Sequence, residues 1–439
     1  MASETAGSIQ DPTPAAPAAG PSLIERRHRV LGHHSPMFFD EPLELVRGRG
    51  VWVEDAAGRR YLDAYNNVPH VGHCHPHVVE ALVRQAEAIN INTRYLHEAP
   101  VAYAERLVAT FAPELSVAML VCTGTEANEL ALRMARFVTG GRGLIVTSFS
   151  YHGNSLSLAE ATTGLSAPEA LAPHVRAIDI PDLASWTGEP AALQRLFADR
   201  VGAAVDSLVA AGFPPAAILI DPLFSTEGLL EPPADFVAEA VARVRAAGGL
   251  YIADEVQSGL GRTGAHMWGH EAWGVTPDIV TMGKSLGNGH PLAAAVTRPE
   301  ILDRFASRAL YFNTYGGNPV SAAVGTAVLE VIAAEGLVEH AAAVGAHVRR
   351  ELEALRDRHD AVARVRGAGL FFGIELVDAE GRPDAGLTAG LVDAMRREGI
   401  LISRIGPTGN VLKMRPPMPF GRPEADRLVS TLDHLLGTL

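Results

Sequence analysis

Lysine is the scarce cation of this chain: of 37 basic residues, 35 are arginine and only Lys284 and Lys413 are lysine. A guanidinium keeps its proton at any workable pH. An ε-amine can lose its proton when buried and attack a carbonyl carbon to form a Schiff base. Lys284 has the setting for that chemistry. It follows the apolar run Ile279-Val280-Thr281-Met282, which reads as a buried strand, and it stands among Gly283, Gly287 and Gly289, which permit a sharp turn and close approach of a ligand. The ordinary alternative is a solvated loop lysine, and the scarcity of lysine here weighs against it.

A nucleophilic amine needs partners. In Tyr251-Ile252-Ala253-Asp254-Glu255-Val256-Gln257 a two-residue period puts Ile252, Asp254 and Val256 on one face of a strand. A carboxylate on an apolar face demands a partner, because an unpaired buried charge is costly. A protonated pyridine nitrogen would serve, with Val256 packed against the ring. Upstream, the strand Val117-Ala118-Met119-Leu120-Val121-Cys122 runs into Thr123-Gly124-Thr125-Glu126-Ala127-Asn128 and an amphipathic helix. Thr123 and Glu126 have capping-box spacing, and exposed amides at such a helix N-terminus make a phosphate seat, although an ordinary capped helix has the same pattern. Tyr151, just past the strand Gly143-Leu144-Ile145-Val146-Thr147-Ser148, is a candidate stacking platform.

These residues require a scaffold that brings strand ends together. From Val117 to about Val280 strands and helices alternate, which predicts a mainly parallel sheet with helices on both faces. Within it Ala217 to Asp221, Phe236 to Ala247 and Leu250 to Gln257 form a βαβ unit with a right-handed crossover. Before it, Val51 to Asp55 and Arg59 to Asp63 read as a hairpin, and Pro76 opens a helix. After it come a helix from Val320 to about Ala333, amphipathic helices near 336–359 and 385–398, and strand-like runs at 370–376 and 410–414, a smaller α+β domain. Residues 1–22, mostly Ala, Pro, Gly and Ser, are expected to be a disordered tail.

Two tempting motifs carry less. His73-Cys74-His75 is too crowded for a closed zinc site and has no second cluster, so no metal is expected. Gly259-Leu260-Gly261-Arg262-Thr263-Gly264 is a formal GxGxxG after a strand, but no clear helical stripe follows it and Asp278 precedes the next strand instead of ending it, which argues against a dinucleotide site. The net charge of −13 argues against nucleic acid or an anionic membrane as partner. Two cysteines make no disulfide framework, and no secretory signal or bilayer-spanning run is apparent, so the cytoplasm is the expected compartment.

A lysine poised for Schiff-base chemistry, an acid on the preceding strand, a phosphate seat and an aromatic platform together describe a site for pyridoxal 5′-phosphate (PLP). At this point the chain resembles the class III (ornithine/4-aminobutyrate/ω-amino acid) aminotransferases of PLP fold type I, from about Leu23 onward. The resemblance is carried, in order, by Thr123-Gly124-Thr125-Glu126-Ala127-Asn128, Tyr151-His152-Gly153, Asp254-Glu255-Val256-Gln257, Gly283-Lys284 and Thr314-Tyr315-Gly316-Gly317-Asn318-Pro319. It implies that Gly124 and Thr125 hold the cofactor phosphate, Tyr151 stacks on the ring with His152 in the same cofactor-binding set, Asp254 pairs with the ring nitrogen and Val256 packs beneath. Gln257 would contact the ring hydroxyl, and Thr314 would reach the phosphate of the neighbouring protomer in a homodimer. The implied fold is α/β, with a mainly parallel seven-stranded-type sheet in a large domain (76–330) and a smaller α+β domain built from both chain ends (23–75 and 331–439).

Within the family, Asn66-Asn67-Val68, Gly287-Asn288-Gly289-His290-Pro291 and Leu412-Lys413-Met414-Arg415-Pro416-Pro417-Met418 look most like the branch that includes ethanolamine-phosphate phospho-lyases. Better-known aminotransferases usually carry an Arg three residues before the Pro-Pro pair to grip the substrate carboxylate, where this chain has Lys413, and a Glu where this chain has Thr226, the acid being moved to Glu227. Asn66, Glu227 and Lys413 are therefore the candidate substrate-binding residues. The leading expectation is a transaminase exchanging an amino group between an amine or ω-amino acid and a keto acid through Lys284. The alternative is a phospho-lyase acting on a phosphorylated amino alcohol.

Overall fold

The computed structural model describes residues 21–164, 168–181, 183 and 186–438. Of the expected tail, residues 1–20 lie outside that range, while Ser22 caps the helix Leu23–Leu31 by accepting from Glu25 N as Glu25 accepts from Ser22 N. Among the described residues no single helix is long and apolar enough to cross a membrane.

Among the described residues fifteen strands form three sheets. The N-terminal hairpin supplies β1 (Leu45–Arg49), β2 (Trp52–Asp55) and β3 (Arg60–Asp63). The central strands are β4 (Val117–Val121), β5 (Gly143–Thr147), β6 (Val175–Ile178), β7 (Pro215–Ile220), β8 (Leu250–Asp254), β9 (Ile279–Met282) and β10 (Ala293–Thr297). C-terminal to these lie β11 (Val362–Ala368), β12 (Phe371–Leu376), β13 (Ile400–Leu401), β14 (Ser403–Ile405) and β15 (Val411–Met414).

The central sheet has the order β4-β10-β9-β8-β7-β5-β6. Its pairings are parallel except for those of β10, which runs against both β9 and β4, so six of its seven strands point the same way. Strands β5, β7, β9 and β10 are buried along their whole length, as expected where helices cover both faces and apolar runs replace alternation. The physical consequence is that the carboxyl ends of six strands share one edge, where open α/β sheets bind ligands. Residues just past β5, β7, β8 and β9, and the helix Gly124–Thr139 just past β4, all meet there.

The flanking sheets join the two chain ends. Strand β13 pairs in parallel with β3, Ile400 opposite Leu62, and β11-β12-β15-β14 is antiparallel. The GxGxxG segment fastens these parts together. Gly264 has φ +73°, and a Cβ there would lie 2.4 Å from Ala342 N. Arg262, fully buried, donates to Leu370 O (3.1 Å), Pro416 O (2.7 Å) and His70 Nδ1 (3.0 Å). These glycines serve a packed corner. The His-Cys-His run is likewise dispersed: His73 bonds Asp63 (2.7 Å), His75 bonds Glu335 (3.0 Å) and Cys74 is exposed.

Candidate active site

Lys284 opens a 3-10 turn (Lys284–Gly287) directly after β9 and Gly283. Its φ of +32° is a strained value for a residue with a side chain, the kind of conformation that persists where surrounding structure enforces it. The side chain reaches a cavity of about 350 Å³ at the carboxyl edge of the central sheet. Burial, then the positive charge of Arg415, lower its pKa to about 8 against the opposing charges of Asp254 and Asp221. A substantial share of Lys284 is therefore neutral amine, and so nucleophilic, near pH 8.

Asp254 ends β8 and is 4% exposed. Its Oδ2 accepts from His152 Nδ1 (2.8 Å) and Asn128 Nδ2 (2.9 Å), and its Oδ1 accepts from Val256 N (3.1 Å). Asn128 is held in turn by Thr281 Oγ1 (2.5 Å) and by its own bond to His152 O (2.7 Å). Three donors thus hold a buried carboxylate in one orientation. Burial opposes protonation of His152, yet the hydrogen bond and charge of Asp254, with the charges of Glu227 and Asp221, outweigh it and raise the imidazole pKa. The other ring nitrogen, Nε2, is buried without a hydrogen-bond partner among the described residues.

The expected capping box forms at the helix Gly124–Thr139. Thr123 Oγ1 accepts from Glu126 N (3.1 Å), and Glu126 Oε2 accepts from Cys122 N (2.7 Å) and Thr123 N (3.2 Å). That leaves the amides of Gly124 and Thr125, which have no intrahelical acceptor, at the cavity wall. Strand β8 stops at Asp254, so the two-residue period does not extend to Val256 as expected. Val256 instead enters the cavity from the following turn, and a Cβ at position 124 would lie 2.8 Å from its Cγ2, which explains why position 124 is glycine.

The cavity therefore gathers Gly124, Thr125, Tyr151, His152, Asp254, Val256, Gln257 and Lys284 from segments far apart in the chain. It does not gather every candidate. Lys413 is buried on β15, where its Nζ donates to Ser225 O (3.0 Å) and lies 5.3 Å from the Phe371 ring centroid. Glu227 accepts from Thr147 Oγ1 (2.5 Å) and faces a separate cavity of about 780 Å³. Burial and then Asp221 raise its pKa to about 8. Asn66 bonds Asp63 and borders a third cavity with Phe38 and Tyr65. Thr314 is exposed, beside Tyr315.

The family described as aminotransferase class III matches residues 36–436. The chain belongs to the class-III aminotransferases. This is a family of PLP enzymes, and solved structures that match the chain include PLP-bound forms. Among curated relatives, this class-III chain is 40% identical over 92% of its length to an alanine–glyoxylate aminotransferase 2-like protein of Drosophila melanogaster, covering 85% of that protein. It is 35% identical over 98% of its length to ethanolamine-phosphate phospho-lyase homolog 1 of Caenorhabditis elegans, covering 97% of it. Among solved structures, a phospholyase from Arthrobacter in complex with phosphoethanolamine is 50% identical, with a TM-score of 0.93 over 95% of this class-III chain and 100% of that one.

Four further residues of this class-III site were not singled out by their sequence positions: Asn67, Asn128, Asp221 and Arg415. Asn128 and Asp221 line the cavity. Asn67 and Arg415 bond to Gln257. The only sequence signal was indirect, since Asn67, Asn128 and Arg415 stand inside motifs that carry the resemblance.

Proposed function

We propose that the chain holds PLP in this cavity with Lys284 as its covalent partner, and that it is a phospho-lyase acting on a small phosphorylated amino alcohol. The residues present fit the cofactor. Free amides at Gly124 and Thr125 suit its phosphate, the clearance left by glycine at 124 admits a close ligand, and a fixed carboxylate at Asp254 suits a protonated pyridine nitrogen. When bound, PLP supplies an aldehyde that condenses with amines and a ring that withdraws electrons from the adjacent carbon.

The chain's own residues do the rest. Asp254, steadied by His152 and Asn128, keeps the ring nitrogen protonated. Lys284, whose pKa is lowered by burial to about 8, takes the proton from the substrate carbon next to the amine. Phosphate then leaves from the neighbouring carbon with its bonding electrons. Hydrolysis of the unsaturated amine left behind gives an aldehyde and ammonia. For phosphoethanolamine the balance is substrate plus water to acetaldehyde, ammonia and phosphate.

The observation that carries the choice of reaction is the position of Lys413. A keto acid brings a carboxylate that a guanidinium grips in a planar fork. In the better-known aminotransferases the position three before Pro416 supplies that guanidinium, whereas here a lysine Nζ is spent on Ser225 O outside the cavity. Elimination needs no keto acid, and the 50% identical phospholyase supports the same reading. A transaminase is the second reading, favoured by the 40% identical aminotransferase-like relative. Phosphoethanolamine incubated with the PLP-loaded protein is expected to release phosphate and ammonia in equal amounts without added keto acid. Amino transfer to pyruvate, 2-oxoglutarate or glyoxylate with no phosphate release would establish the transaminase instead.

We also propose that the working form is a homodimer. Leu96, Leu310 and Tyr315 expose 102%, 97% and 72% of their surface, and Tyr95 and Phe312 lie beside them around the β4 edge and Thr314. An apolar patch of that kind is suited to a second copy, and an obligate interface of about 2,000 Å² or more would cover it. Analytical ultracentrifugation is expected to give a dimer down to nanomolar concentration. An active, PLP-saturated monomer would overturn this.

A further inference from the structure

Gln257 borders the cavity in the turn after β8, and two buried side chains from distant segments hold it. Arg415 donates from Nη1 to Gln257 Oε1 and from Nε to Tyr65 O (3.1 Å), and its guanidinium lies 4.6 Å from the Tyr65 ring centroid. Asn67, fully buried, donates from Nδ2 to the same Gln257 oxygen at 3.0 Å. The nitrogen and oxygen of a side-chain amide are ordinarily hard to tell apart by shape. Here chemistry decides, because a guanidinium has only donors and the atom facing it must be an acceptor. The Gln257 oxygen is therefore turned toward Arg415 and Asn67, and its NH₂ group is turned away from both. Among the described residues that NH₂ has no hydrogen-bond partner, and Arg415, 8% exposed, has no carboxylate within ion-pair distance. A buried cation held without a counter-charge costs stability, which a fold tolerates where the charge has a task.

We propose that Arg415 and Asn67 are positioning residues for the cofactor: they clamp Gln257 so that its amide N–H groups face the cavity and donate to the anionic oxygen on the pyridine ring, with the Arg415 charge behind them. This rests on the cofactor reading above and not on the choice between lyase and transaminase. The same charge acts on Lys284. The groups that face Lys284 are Arg415 and Lys413 on the positive side and Asp254 and Asp221 on the negative side. Removing Arg415 takes away a positive charge, so the Lys284 nitrogen holds its proton to higher pH.

The test has two readouts besides activity. In the PLP-loaded protein, visible absorbance is followed against pH. In the apoprotein, modification of Lys284 by an amine-directed acylating reagent is followed against pH, with peptide mass separating Lys284 from Lys413. Arg415→Gln is expected to raise the midpoint by roughly one pH unit in both, and Arg415→Lys, which keeps the charge, to restore most of the shift. Gln257→Glu keeps both acceptor contacts of the clamp but replaces the cavity-facing N–H group with oxygen. Its PLP dissociation constant is expected to rise about tenfold or more, and this variant reads the amide orientation even if Arg415→Gln fails to fold. An unshifted midpoint in Arg415→Gln, or wild-type PLP affinity in Gln257→Glu, overturns the clamp. A wild-type protein with no Lys284 chromophore would defeat the cofactor reading itself, so the two failures are distinguishable.

Discussion

Lys284→Ala is expected to abolish covalent attachment of PLP and to lower turnover by roughly 10⁴-fold or more, since nucleophile and general base are lost together. The size of the effect follows from geometry. Among the described residues no other amine reaches the cavity: the remaining lysine, Lys413, is buried on Ser225 O. Burial, followed by the charge of Arg415, lowers the Lys413 pKa well below that of a free lysine, but its nitrogen is fixed on Ser225 O away from the cavity, so it is no substitute. Lys284→Arg tests the chemistry separately from the charge. It keeps a cation at that position but presents a guanidinium that does not deprotonate, and it is expected to be as inactive as the alanine variant. Thermal unfolding of the Lys284→Ala apoprotein is expected to change little, because Lys284 makes no hydrogen bond among the described residues whose loss would cost stability. Substantial turnover in either variant, measured with the best substrate, would remove Lys284 from the mechanism.

The second large effect is at Asp254. Asp254→Asn is expected to lower kcat by about 10²- to 10³-fold, the range seen when one preorganised electrostatic partner of a reacting group is removed. The substitution is close to isosteric, so it isolates charge from shape. One amide oxygen can still accept from His152 or Asn128, which now hold the carboxylate at 2.8 and 2.9 Å. A neutral amide cannot, however, keep a pyridine nitrogen protonated, and the electron-withdrawing power of the ring falls with it. Asp254→Ala adds a structural cost, since His152 Nδ1 is left buried without its acceptor and Asn128 Nδ2 keeps only His152 O; breaking such a buried charged pair costs about 3 to 5 kcal/mol. Steady-state kinetics together with thermal melts separate the two: a loss of kcat in Asp254→Asn with an unchanged melting temperature is the expected result, and wild-type kcat would contradict the role.

How much of this was legible beforehand depends on whether a residue's surroundings are local. The capped start of the helix Gly124–Thr139 was, because Thr123 and Glu126 are three apart and their capping box is a property of one turn. The helices near 336–359 and 385–398 were, because their apolar faces repeat along one segment; they fall at Leu337–Arg356 and Ala385–Arg397. The mainly parallel sheet followed from strand and helix alternation and its seven strands from the resemblance, while the reversed direction of β10 followed from neither, since nothing in Ala293–Thr297 differs in pattern from a parallel core strand. Substrate-side residues were least legible. Lys413, Glu227 and Asn66 stand in the motifs where relatives differ, but the side of the sheet or turn to which each points is set by contacts with Ser225, Thr147 and Asp63. The role of Arg415 is illegible for the same reason, its partner Gln257 being 158 positions away.

The central claim is that Lys284 is the covalent seat of PLP, and the scarcity of lysine makes one measurement decisive. The PLP-loaded protein is reduced with borohydride, digested and mapped by mass spectrometry. The account predicts the reduced pyridoxyl-phosphate mass on the peptide that contains Lys284 and none on the peptide that contains Lys413. Label on Lys413, or no labelled peptide from a protein that binds PLP, would contradict it.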